Sequence, residues 1–90
     1  MDRPFVATMN PDVIDVQPLD GYILRLIFEG GEVRDFDVKP YLDLGIFQAL
    51  REESYFREAY VEFGSVEWPG GQGLSYNTLY LESVPAALAV

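Results

Sequence analysis

The sequence predicts an α+β fold: a three-stranded antiparallel meander, a short helical segment, a second β-hairpin and a short C-terminal helix. Three observations predict it. Apolar residues alternate along 13–18, 22–28 and 33–38, with the glycine turns Asp20-Gly21 and Gly30-Gly31 between them. After Gly45 the apolar spacing lengthens to a helical period at Ile46, Phe47, Leu50 and Phe56. Ser75, a good helix N-cap, stands directly ahead of a last periodic run.

Residues 1–9 lack alternation and read as a loose N-terminal arm, although Met9-Asn10-Pro11 resembles a second beginning. The domain proper spans 10–85, with 86–90 as a short tail. In the first strand Ile14 and Val16 share one face, opposite Asp15 and Gln17. Asp20-Gly21 is a hairpin signal. The second strand carries Tyr22, Leu24, Leu26 and Phe28 on one face. Ile23, Arg25 and Ile27 on the other suggest a central strand covered on both sides.

Gly30-Gly31 makes the next turn because glycine accepts positive φ freely. Phe36 and Val38 then point inward with Arg34 on their face, and Asp35 and Asp37 point away. Pro40 closes this strand, since it has no N–H for a ladder. Residues 46–51 are expected to form one short helix and 54–59 another turn. Val61 and Phe63 alternate, Gly64-Ser65 reads as a two-residue turn, and Val66 and Trp68 continue the second hairpin. Residues 69–73 are loop. A helix over 76–83 follows Ser75, with Leu74 and Leu79 spaced as a hydrophobic staple, and Val84-Pro85 ends it.

Ninety residues hold one domain, and 49% apolar with 14% aromatic residues is enough for a packed core. No apolar run approaches the ~20 residues of a membrane span. The chain has no cysteine, so a reducing, cytoplasmic setting is expected. The net charge is −9, and Arg3, Arg25, Arg34, Lys39, Arg51 and Arg57 are scattered. A nucleic acid duplex or an anionic membrane would be repelled. A basic protein would be steered in, unless the acidity serves solubility alone.

Histidine and cysteine are both absent, which removes nucleophile–imidazole pairs and the usual zinc sites. Any catalysis would rest on carboxylates, tyrosines, serines or Lys39. Asp35 and Asp37 lie on one strand face beside Glu29 and Glu32, oxygen ligands of the kind a hard cation takes. The ligand series of an EF-hand is missing, so a solvated strand face is the favoured reading, with a weak metal site and then a catalytic carboxylate pair as the alternatives. Gly70-Gly71-Gln72-Gly73 precedes a helix as phosphate loops do, but lacks the lysine and spacing of a nucleotide motif. Tyr60, Trp68, Tyr76 and Tyr80 concentrate late in the chain, first as core, next as a protein-binding patch and last, with only Arg57 close in sequence, as a base-stacking platform. No metal or cofactor is expected.

The segments VIDVQPLD (13–20), LRLIFEGGE (24–32), FDVKPYL (36–42), Gly45-Ile46-Phe47 and FGSVEWP (63–69) occur in this order. Together with Leu79-Tyr80 they resemble a widespread bacterial family catalogued as domain of unknown function 2442. Where that family often has Asp-Pro before its second short helix, this chain has Glu52-Glu53-Ser54. The resemblance implies an α+β domain with a meander, a helical segment and a second hairpin, and it carries no catalytic residues over. It also implies a regulatory setting. Some members carry a helix-turn-helix domain after this module, and others are encoded beside a second small family in an arrangement like toxin–antitoxin pairs.

The expected function is a non-enzymatic interaction module, an antitoxin-like or regulatory partner of a basic protein. Asp35, Asp37, Glu29 and Glu32 with the aromatics Trp68 and Tyr76 are the candidate partner surface. A small-ligand sensor and a carboxylate-based enzyme stand as alternatives. No direct nucleic-acid or membrane partner is expected, and self-association stays open.

Overall fold

Alternation along the second strand sets the centre of the core. The computed structural model describes residues 10–86, so the expected arm over 1–9 and residues 87–90 of the tail lie outside the described residues. Strands β1 (Val13–Leu19), β2 (Ile23–Phe28) and β3 (Val33–Asp37) form the antiparallel meander. Leu24, Leu26 and Phe28 of β2 are fully buried, together with Phe36 and Val38. Each such side chain contributes about 1.5–3 kcal/mol by leaving water.

The first strand departs from simple alternation. Its register shifts between Val13 and Asp15, a β-bulge that sets an extra residue against β2. Val13 is therefore buried and Val16 packs against the core, whereas Ile14, expected beside Val16, is 56% exposed. The β1–β2 loop is also longer than expected. Leu19 pairs with Ile23, leaving Asp20, Gly21 and Tyr22 in the loop, with Gly21 and Tyr22 at φ 79° and 63°. Tyr22 still reaches the core, its ring edge-on to Phe56 at 5.2 Å and its hydroxyl donating to the Arg51 carbonyl.

Strand β1 lies at the edge of its sheet. An open edge invites pairing with other chains. Here Pro18 has no N–H, the Pro18 carbonyl accepts from Arg57 Nη1 at 3.3 Å, and the Val13 N–H donates to the Gly64 carbonyl at 2.9 Å.

Two 3-10 segments, Lys39–Tyr41 and Gly45–Arg51, precede α1 (Glu53–Phe56). The helix expected over 46–51 is thus 3-10. Phe47 and Leu50 are three apart, and a three-residue turn puts both on one side, with Leu50 buried and Phe47 packed against the core. Glu52 is extended, with ψ 113°, and separates this segment from α1.

Strands β4 (Tyr60–Glu62), β5 (Ser65–Glu67) and β6 (Gly73–Leu74) form a second antiparallel sheet. Glu62 pairs with Ser65, so the hairpin turn is Phe63-Gly64, one residue earlier than expected. Both turn residues have positive φ, 50° and 80°, as a type I′ turn requires. Phe63 consequently leaves the alternation of Val61 and projects from the tip, 92% exposed.

Helix α2 (Tyr76–Glu82) begins as expected, with the Ser75 Oγ accepting the Thr78 N–H at 3.2 Å. Leu74 and Leu79 are both buried in the core. Val84-Pro85 does more than end the helix. It forms β7 (Val84–Pro85), which pairs with β3 and gives the first sheet the order β1-β2-β3-β7. The otherwise open edge of β3 supplies the partner, and Ala86 N–H continues the pairing onto the Val33 carbonyl at 3.1 Å.

Candidate functional site

Across antiparallel strands, opposed residues on one face are neighbours, so register decides which charges meet. Arg25 stands opposite Asp35, and its guanidinium grips the carboxylate with both Nε and Nη2, at 2.9 and 3.0 Å. Asp37 faces Lys39 Nζ at 3.0 Å, and Glu32 receives Arg34 Nη1 at 2.8 Å. The carboxylates expected to form one acidic patch are thus largely matched within the chain. Glu29, exposed in the β2–β3 turn, is the member of that set with no cationic partner among the described residues.

The two expected aromatics also divide. Trp68 is fully buried, and its Nε1 donates to the Phe56 carbonyl at 2.8 Å. Its indole belongs to the core and is not presented at the surface. Tyr76 is half-buried at the start of α2, where its N–H donates to Ser65 Oγ at 3.0 Å.

A polar cluster that the sequence pattern did not disclose joins β3 to the end of α2. Arg34 Nε donates to Ser83 Oγ at 2.7 Å and its Nη2 to the Ser83 carbonyl at 2.6 Å. Its guanidinium lies 4.7 Å from the Tyr80 ring centroid, and the Tyr80 hydroxyl donates to Glu32 Oε1 at 2.8 Å. The bonds from Tyr80 and then Arg34 hold Glu32 below the usual glutamate range. The same Tyr80–Glu32 bond raises the Tyr80 phenol. A carboxylate held ionised and a phenol held protonated make a poor acid–base pair near neutrality. Their geometry fastens the last turn of α2 to the first sheet. Tyr41 also ties this helix by donating its hydroxyl to Glu82 Oε1 at 2.6 Å. Burial first and that bond second push its phenol up to about 12.

The glycine-rich segment after Trp68 has a structural use as well. The side chain of Gln72, 4% exposed, donates from Nε2 to the Ile46 carbonyl at 2.9 Å and accepts the Tyr55 hydroxyl at 2.8 Å. A Cβ on Gly70 would stand 2.5 Å from that hydroxyl, so the close approach requires glycine. The loop thus docks on the 3-10 segment and α1, in place of a phosphate.

Charge matching extends through the molecule. Arg57 bridges Glu53 at 2.9 Å and Asp20 at 2.5 Å, and Arg51 pairs with Asp43. Every lysine and arginine among the described residues therefore meets a carboxylate of the same chain. Asp12, Asp15, Glu29, Glu52, Glu58, Glu62, Glu67 and Glu82 have no cationic partner among the described residues. No cluster of three metal-ligating side chains and no enclosed pocket is found there either, and no described helix is long and apolar enough to cross a membrane.

A family model described as "Protein of unknown function (DUF2442)" matches residues 13–85. No curated protein matches the chain, and no solved structure does.

Proposed function

The chain belongs to the DUF2442 family, and from that premise we propose that it is a non-enzymatic interaction module for a basic protein partner. One observation carries the reading: the described cations are spent on internal pairs, and the acidic excess of a chain with net charge −9 is left facing outward. Such a surface raises the encounter rate with a positively charged protein and repels nucleic acid. The finer form of this reading is a regulatory or antitoxin-like pair in the cytoplasm, in which the acidic chain caps a basic one. A ligand sensor would need a concave apolar pocket, and no observation among the described residues favours that alternative.

The test is capture from host extract on immobilised chain at low salt, followed by salt elution and identification by mass spectrometry. The retained protein should be basic, and its association rate with the purified chain should fall as ionic strength rises. Retention of neutral or acidic proteins only, or salt-independent association, would sink the reading.

A further inference from the structure

We propose that Phe63 is the anchor of that interface, an aromatic side chain held at a rigid hairpin tip for insertion into an apolar pocket rimmed by lysine and arginine on the partner. The inference rests on the interaction reading above and names the residue that would carry it.

Phe63 breaks two local rules together. It holds φ at +50°, a left-handed conformation that glycine or asparagine adopts with less strain than a bulky aromatic. It is also 92% exposed, so no burial within the described residues offsets that strain. Strained backbone of this kind concentrates where function needs it.

The tip is held firmly. The Val13 N–H donates to the Gly64 carbonyl at 2.9 Å, and a Cβ on Gly64 would stand 2.5 Å from Asp12 Cγ. Phe63 therefore needs little ordering on binding, which favours affinity. Its surroundings carry one sign of charge. Glu62 precedes it, Asp12 lies against Gly64, and the Glu29 N–H donates to the Asp12 carbonyl at 2.9 Å. None of these three carboxylates has a cationic partner among the described residues. Ile14, exposed by the bulge, follows the Val13 that is bonded to Gly64.

An aromatic centre within a charged rim is the layout of an interface hot spot. The negative rim commits the occupant to a basic partner, because a second copy of this chain would bring acid against acid.

The test uses Phe63→Asn, which suits the left-handed turn, and Phe63→Tyr, which keeps the aromatic anchor. The melting temperature of Phe63→Asn should equal or exceed that of the parent. Its affinity for the purified basic partner should fall about 30-fold, mainly through faster dissociation, while Phe63→Tyr stays within a few-fold. A salt-sensitive partner that binds Phe63→Asn as tightly as the parent would overturn the anchor and leave the interaction reading standing. If the parent retains no basic protein, both fall. A lowered melting temperature for Phe63→Asn would mean that the Phe63 side chain stabilises the free chain, and the proposal would be overturned.

Discussion

The Tyr55 hydroxyl donates to Gln72 Oε1 at 2.8 Å and accepts the Gly70 N–H at 2.6 Å. One phenol thereby closes a loop seventeen residues away onto α1. Removing that hydroxyl leaves the buried Gln72 oxygen without its donor. Tyr55→Phe should cost about 1–3 kcal/mol in urea melts. The Tyr55→Phe, Gln72→Leu double variant should lose less than the sum of the single losses, because both removals break the same bond. Strict additivity would show that the two side chains are not coupled.

At the start of α2, Ser75→Ala should cost about 1 kcal/mol, since the Thr78 amide loses its acceptor. Leu79→Ala should cost more, about 2–4 kcal/mol, by opening a cavity in the core that Leu79 fully enters. Chemical denaturation of both variants checks the order. A neutral Leu79→Ala would mean that the helix is not docked through that residue.

The pH dependence should have two separable limbs. Glu32 is held below its ordinary 4.5 by Tyr80 and then Arg34, so its contribution is complete above that value and is lost as the pH falls through the folded value. Tyr80→Phe removes the larger cause and should make the acid loss of stability less steep. Tyr41 runs the other way. Its phenol is raised from 10.0 to about 12, so its contribution is complete below the ordinary value and disappears as the pH rises toward 12. Tyr41→Phe should flatten that alkaline limb. Denaturation midpoints across the pH range would test both, and unchanged slopes would show that neither contact survives in solution.

Arg34→Lys keeps the charge but loses the planar fork that reaches Ser83 twice and Glu32 once. The pairing of β7 with β3 should loosen before the core does. Amide exchange at Ala86, whose N–H donates to Val33, should speed up at least tenfold, while the β2 amides keep their protection. Equal acceleration at both places would mean that the cluster supports the whole fold and not this edge alone.

The meander was readable because Leu24, Leu26, Phe28 and Phe36 each obey a two-residue period that burial enforces. Ser75 was readable because its cap is local, bonding only three residues ahead. What escaped depends on geometry that alternation does not encode. The bulge turns Ile14 outward, and the type I′ turn takes Phe63 in place of Ser65. Strand β7 exists only because β3 has an edge to offer. The candidate surface was harder still. Nothing in the order of residues tells that Arg25 will stand opposite Asp35 and neutralise it, or that Trp68 will be fully enclosed. The uneven placement of the acids, and the local cost of Phe63 at positive φ, become visible only once register is known.

The pairing of β3 with β7 also has a consequence in time. The turns within the meander close short loops, whereas joining Arg34 to Ser83 closes one of 49 residues. Loop closure must be met before distant contacts reward it, so short-range pairings form early and long-range ones late. The folding nucleus is therefore expected in the meander. Leu26→Ala should slow folding with a φ-value above about 0.5, and Arg34→Lys should chiefly accelerate unfolding. A chevron series in which Arg34→Lys instead slows refolding would place the C-terminal strand in the rate-limiting step. On the expected course, β7 is the first of the described strands to let go.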